Sequence, residues 1–158
     1  MLIHLPETLY LSAVAEHEGT FENAEQQIAF WTSLGKAVMD NPDASPLLMT
    51  QILLARLQNN EKTGWRCQGI HEGIAVRETR QFRQAVDALP KEARAVCRQM
   101  LTFLASHPDA GVPLHGELEA FSVFHRYQEA QSFQIAYIKG DASVSAVLLA
   151  LTRCYMGI

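Results

Sequence analysis

The chain has 158 residues, of which 48% are hydrophobic and 19% are charged, a balance typical of a globular protein with room for one domain or two small ones. No apolar run approaches the roughly 20 residues that span a bilayer, and the N-terminus lacks the basic segment and apolar core of a secretory signal. Three widely spaced cysteines argue against a disulfide framework or a zinc site, so we expect a cytoplasmic protein with reduced thiols, no metal and no cofactor.

Charge divides the chain unevenly. Residues 1–60 carry seven acidic and two basic side chains, whereas residues 61–158 carry ten acidic and eleven basic ones. Two halves of different character predict two modules, over residues 1–60 and 74–158, with a linker at 61–73. Neither half is basic enough overall to indicate nucleic-acid binding by charge alone.

The N-terminal module has the pattern strand, helix, helix. Leu2–Leu5 is a short apolar run that a proline ends. Apolar spacing predicts a helix over Glu7–His17, and a second helix that Thr20 or Asn23 caps and Pro42 ends. A strand of four residues is unstable alone, so the economical partner is the same strand of a second copy. The alternative is a small helical hairpin that packs only on its own chain.

Two local motifs in this module resemble the ParD-like antitoxins of bacterial type II toxin–antitoxin systems. They are Ile3-His4-Leu5-Pro6-Glu7 and Gln27-Ile28-x-x-Trp31-x-x-x-Gly35-Lys36-Ala37. The resemblance implies a ribbon-helix-helix homodimer formed through residues 1–42.

In such a dimer the ribbon enters the major groove of operator DNA. With Ile3 and Leu5 turned inward, Leu2 and His4 would face the DNA. The strand holds no Arg or Lys, and an acidic module is repelled by phosphates. The sequence therefore favours dimerisation over operator binding for this segment.

The connector Pro46–Leu57 is apolar over most of a helical surface, so it must be covered by protein. Two interpretations stay open. In antitoxins the corresponding segment wraps the toxin, and here it would do so within one chain; the alternative is a third core helix of the N-terminal module. Asn59–Gly64 then has the composition of a boundary, and Gln68–Gly73 is expected to be irregular.

The sequence pattern of the C-terminal module predicts elements in the order β-α-α-β-β-β. The expected elements are a strand at Ile74–Glu78, helices at Arg80–Leu89 and Lys91–Ser106, and an antiparallel meander of Phe121–Tyr127, Phe133–Lys139 and Val144–Leu151, with a hairpin at Lys139-Gly140-Asp141. Two helices followed by a meander indicate an α+β sandwich with the helices on one face of the sheet.

This order and several local motifs resemble the RelE/ParE toxin superfamily over residues 74–156. The motifs are Thr79-Arg80-Gln81-Phe82-Arg83 followed by Leu89-Pro90-Lys91-Glu92, then Leu114-His115-Gly116-Glu117-Leu118, then Phe133-Gln134-Ile135-Ala136-Tyr137. Taken together, the two resemblances predict an α+β protein with an N-terminal ribbon-helix-helix dimerisation module and a RelE/ParE-like domain built on an antiparallel sheet.

The RelE branch cuts messenger RNA on the ribosome with Arg, Lys, His or Tyr side chains on the exposed sheet face and near the C-terminus. The positions that match here are His125, Arg126, Gln134, Arg153 and Tyr155. The departure is Gln134, where the family strand usually carries Arg, because a neutral amide does not stabilise a developing phosphate charge as a guanidinium does. Adjacent strand residues also point to opposite faces, so His125 and Arg126 belong to different sites.

Three functions remain open at this point. The first is a toxin–antitoxin-like fusion in which the N-terminal module covers the toxin-like domain, held inactive or evolved away from toxicity. The second is a ParE-type module that binds DNA gyrase without a nuclease residue set, which Gln134 fits better than RNA cleavage. The third is a non-enzymatic dimer that binds DNA or another protein. Each single candidate residue also has a purely structural interpretation, as a surface histidine or a rim ion pair.

Overall fold

A computed structural model of the chain describes residues 4–16, 20–58, 67–70, 76–139 and 144–153. Within these residues the helices are α1 (Glu7–Glu16), α2 (Ala24–Asp40), α3 (Pro46–Gln58), α4 (Arg80–Asp87) and α5 (Lys91–Ser106), with a short 3-10 helix at Gly116–Leu118. The strands are β1 (Cys67–Ile70), β2 (Val76–Thr79), β3 (Val112–Pro113), β4 (Ser122–Gln128), β5 (Gln131–Lys139) and β6 (Val144–Arg153). The fold class is α+β, as the sequence predicted.

The strands form one sheet in the order β1-β2-β6-β5-β4-β3. Its centre is the antiparallel meander of β4, β5 and β6. Strand β2 lies beside β6 in parallel, and β1 extends that edge in antiparallel fashion. A parallel neighbour requires a long crossover, which here is the whole segment from α4 to β5. The prediction of an irregular segment over Gln68–Gly73 is partly wrong, because residues 68–70 lie in strand β1.

Helices α4 and α5 pack on one face of the sheet, as expected. Their apolar side chains meet alternate residues of β5 in a hydrophobic cluster made of Val76, Phe82, Ala93, Val96, Cys97, Met100, Leu101, Leu104, Phe133, Ile135 and Tyr137. Burial alone raises the pKa of the Cys97 thiol to about 11, so this cysteine is an inert core residue.

Helices α2 and α3 cover the opposite face. A second hydrophobic cluster joins them to that face and to the loop before β4; its buried members are Ala37, Leu48, Met49, Ile52, Leu53, Leu114, Leu118, Phe121, Val123 and Ala136. This packing explains the apolar residues on the buried side of α3, whereas Leu47 and Leu57 on the same helix are exposed. Strand β5 is consequently buried on both faces, with α4 and α5 on one side and the N-terminal helices α2 and α3 on the other.

Local capping explains where the N-terminal helices begin and end. The Asn23 side chain caps α2 by accepting a hydrogen bond from the Gln26 backbone N–H at 2.9 Å. At the other end of α2, Asn41 is buried and reaches the loop before the 3-10 helix. Its Oδ1 accepts from the His115 N–H at 2.7 Å, and its Nδ2 donates to the carbonyls of Ala37 and His115 at 2.8 and 3.3 Å.

A second tie runs from α3 to the same loop. The Arg56 guanidinium donates to the Glu117 carbonyl at 3.3 Å and lies 3.8 Å from the Glu117 carboxylate. Both side chains are about one-third or more exposed, so the ion pair itself contributes little stability. Together with Asn41, this tie fixes the position of the N-terminal helices on the sheet.

The β4–β5 hairpin has an unusual turn. Glu129 and Ala130 adopt φ angles of 48° and 61°, a left-handed conformation that Asn or Gly adopts with less strain. Two residues with positive φ form the type of tight turn whose twist matches that of the flanking strands. The required backbone geometry is therefore imposed by the strand pairing rather than by the turn residues themselves.

Other predictions fall partly outside the described residues. Of the predicted Leu2–Leu5 strand, only His4 and Leu5 are described, and neither is in a strand. The division of the chain at residues 61–73 stays a prediction, since most of that segment is not described, and so does the hairpin at Gly140 and Asp141. Among the helices that the structure describes, none has both the length and the apolarity needed to cross a membrane.

Candidate functional site

Strand β4 separates the predicted catalytic residues onto two faces of the sheet. His125 pairs with Gln134 across β4 and β5, whereas Arg126 pairs with Phe133. Phe133 belongs to the cluster under α4 and α5, so Arg126 lies on that side. The sequence correctly predicted that His125 and Arg126 point to opposite faces of the sheet, and the strand register places Gln134 on the same face as His125.

The polar end of the sheet face consists of His125, Tyr127, Ser132 and Gln134. These residues lie on the same face as Val123 and Ala136, but nearer the β4–β5 turn. His125 Nε2 and Ser132 Oγ are 2.5 Å apart, within hydrogen-bond distance, and the His125 and Tyr127 rings have centroids 4.1 Å apart. The two rings are exposed, while Ser132 and Gln134 lie buried beside them.

The surroundings of His125 determine the protonation state of its imidazole. Partial desolvation lowers the pKa of His125 below its ordinary value of 6.5, so the imidazole is neutral at physiological pH. A neutral imidazole beside a hydroxyl can accept the hydroxyl proton or donate its own, depending on the tautomer. The pair is therefore able to relay a proton, although Ser132 as a residue is only 3% exposed.

Gln134 carries the unusual feature of this end of the sheet. Its side chain is 8% exposed, and its Oε1 is buried without a hydrogen-bond partner. An unsatisfied buried amide oxygen costs about 1–3 kcal/mol, so a purely structural role would favour an apolar residue here. A buried polar atom without a partner calls for a physical explanation, and a functional role is one such explanation, so Gln134 is a candidate site residue at this end of the sheet.

The arrangement lacks one component of phosphate chemistry. The four side chains of the polar end include no cation, and Arg126 lies on the other face. Ribonuclease chemistry needs a positive group near the phosphate, so these four residues alone supply a base and hydrogen-bonding groups but no charge stabilisation.

The remaining predicted residues have incomplete descriptions. Arg153 is in β6 at the register position opposite Gln131, and its side chain is not described. Tyr155 and Leu2 lie outside the described residues, and His4 is an exposed residue before α1. Their assigned roles stay predictions.

Sequence reasoning missed Ser132 and Tyr127 as members of the polar end. Both could have been found from strand alternation, because Ser132 is two residues before Gln134 and Tyr127 is two residues after His125. The hydrogen bond between Ser132 and His125 depends on strand register, which the sequence alone leaves open.

Comparison with known proteins adds no relative. No protein-family model, no curated protein and no solved structure matches this chain.

Proposed function

We propose that this protein is a toxin–antitoxin-like fusion, in which the N-terminal helices cover a RelE/ParE-like domain within the same chain. The observation that carries the proposal is the second hydrophobic cluster. It holds α2 and α3 on the sheet face that also bears His125 and Gln134. Covalent linkage gives such a cover a high effective concentration, so contacts of modest strength keep it in place.

The element order supports the toxin-like part of the proposal. Residues 76–153 follow the β-α-α-β-β-β order that the resemblance implies, with one two-residue strand added between α5 and the meander. The ParD-like part includes pairing of two copies through residues 1–42.

Gyrase binding without nuclease activity is the second candidate, and one observation favours it. The polar end of the sheet face offers Gln134 where RNA cleavage calls for a cation, so poisoning of a protein target fits these side chains better than phosphodiester cleavage. A non-enzymatic regulator that binds DNA or protein is the third candidate. The lack of any Lys or Arg in residues 1–35 argues against its DNA-binding form.

The test opens the cover in the full-length chain. Met49 and Ile52 are fully buried between α3 and the sheet, so replacing both with Asp should detach the helix. Wild type and variant are induced in bacteria, and growth, protein synthesis and plasmid supercoiling are measured. We expect the wild type to be harmless and the variant to slow growth.

The assays distinguish the candidates, and a matched control excludes effects of misfolding. Cleaved messenger RNA indicates the RelE branch, whereas lost supercoiling with intact messenger RNA indicates gyrase. The double change Phe82→Asp with Met100→Asp introduces the same charge into the cluster on the other face and leaves the cover in place. Normal growth, translation and supercoiling in the opened variant, or equal toxicity of this control, would refute the proposal.

A further inference from the structure

Helix α1 exposes an apolar surface in a strongly acidic segment. Ala13 is its one buried residue, and it rests on α2. Tyr10, Leu11 and Val14, which share one side of the helix, are 44%, 56% and 41% exposed, an unusual amount of apolar surface for a ten-residue helix. A partner for this helix must therefore offer apolar contact.

The partner must also carry positive charge. Residues 1–35 contain no Lys or Arg, while the described part of this segment holds Glu7, Glu16, Glu22 and Glu25, all exposed. Glu7 and Glu16 stand at the two ends of α1 itself. Two α1 helices from different copies would bring these carboxylates together, and like charges at a contact are unfavourable.

A surface of the required chemistry lies on α5. The described residues that line it are Lys91, Arg94, Ala95 and Arg98, which form a groove of about 550 Å³ along one side of the helix. Its walls are mostly apolar, as the methylene stems of long basic side chains and the Ala95 methyl group would make them, and Lys91 and Arg98 are exposed. Lys91 and Arg98 lie two helical turns apart.

The two surfaces cannot meet within one chain. Helix α1 rests on α2, on one side of the sheet, whereas α5 packs on the other side. Only a second molecule can bring an acidic, apolar helix to this groove, and each chain carries one copy of both surfaces. Two chains can thus make the contact twice.

We infer that α1 of one molecule docks in the α5 groove of a second copy of this chain, with the reciprocal contact closing a dimer. The apolar side chains of α1 pack on the groove walls. Glu7, on the same side of α1, pairs with a basic side chain of the groove, and Glu16 adds to the attraction between the acidic helix and the basic groove. This contact is separate from pairing of the Leu2–Leu5 strands, and it does not depend on the toxin–antitoxin proposal.

Sedimentation equilibrium tests the inference on the full-length chain. We expect a dimer whose dissociation constant rises between about 50 and about 500 mM NaCl, since salt screens exposed charges. A base-reversed variant carries Lys91→Glu and Arg98→Glu, and an acid-reversed variant carries Glu7→Lys and Glu16→Lys. Each alone should raise the dissociation constant at least about tenfold. Arg94 is left unchanged because its guanidinium donates to the carbonyls of Asp87 and Leu89.

Mixing the two variants gives the decisive result. In the mixed pair, the unchanged acidic α1 meets the unchanged basic groove, and the reversed helix meets the reversed groove, so dimers should return at close to the wild-type constant. Arg77→Glu with Arg80→Glu makes the same charge change at exposed positions outside the groove and should leave dimerisation unchanged. A monomeric wild type, a base-reversed variant that dimerises normally, or a mixture that stays monomeric each overturns the inference.

Discussion

The tie between Asn41 and the His115 loop should contribute a large share of the stability of the whole fold. Asn41→Ala removes three hydrogen bonds. Two of them join the end of α2 to His115 in the segment before β4, and the third is made to the Ala37 carbonyl within α2. At about 0.5–1.5 kcal/mol each, and with the His115 N–H left without its acceptor, we expect a loss of about 2–3 kcal/mol in the free energy of unfolding.

Urea unfolding measures this loss. Far-UV circular dichroism follows all helices, and Trp31 fluorescence follows α2 once Trp65 has been replaced by Phe. Because the second hydrophobic cluster joins α2 and α3 to the sheet, both signals should change in one transition, in wild type and variant alike.

The matched control is Asn23→Ala, the same substitution at the other end of α2. Asn23 is an exposed N-cap whose loss typically costs about 1 kcal/mol, so it should be the milder change. A loss below about 0.5 kcal/mol for Asn41→Ala would show that water replaces these hydrogen bonds without penalty. Separate transitions of the two signals would show that the N-terminal helices unfold independently of the sheet.

Four further changes test other features. Ala130→Gly should stabilise the protein by about 0.5–1 kcal/mol in thermal unfolding, because glycine adopts positive φ without strain. The control Ala95→Gly, on the exposed side of α5, should destabilise the protein by about 1 kcal/mol. A loss of stability in Ala130→Gly would contradict the strain argument. Gln134→Met should raise the free energy of unfolding by about 1 kcal/mol, since it removes the unsatisfied Oε1; a clear loss would mean that the amide is satisfied in solution. Tyr137→Phe should lower that free energy by about 1–2 kcal/mol because the buried hydroxyl donates to Pro108 and accepts from the Gly111 N–H, and an unchanged urea midpoint would count against both bonds. The pKa of His125 is lower in the folded protein than in the unfolded chain, so the unfolded chain takes up the proton at a higher pH and the free energy of unfolding should fall as pH drops below about 6.5. His125→Asn should flatten that part of the pH profile of stability. An unaltered profile would exclude His125 as the cause of the fall.

Local signals sufficed for most of the helices and for the meander. The ends of α2 and α5 followed from Asn23, from Pro42 and from the His107-Pro108 pair, since caps and prolines act through the backbone nearby. Alternation along β5 separates the two faces of the strand, and in the structure Phe133, Ile135 and Tyr137 are the residues that pack under α4 and α5. These features depend on spacing within about one helical turn or one strand, which a sequence displays directly.

Long-range features were beyond the same reasoning. The parallel pairing of β2 with β6 joins residues far apart in sequence, and no local pattern specifies it. Because α3 is apolar on nearly all sides, the sequence predicted that protein covers this helix, but not which surface the helix packs against. In the candidate site, the facing of His125 and Gln134 required the register of two strands, and the unsatisfied Gln134 oxygen required the packing around it.

The packing of an N-terminal helix on β5 has a consequence during synthesis. Helix α3 leaves the ribosome about 80 residues before the β5 positions that it packs against, such as Ala136. At about 5–20 residues per second, the nascent chain carries the uncovered side of α3 for roughly 4–16 seconds. During that interval Leu48, Met49 and Ile52 are open to chaperones and to other nascent chains, so the yield of folded protein should depend on translation speed across residues 59–136.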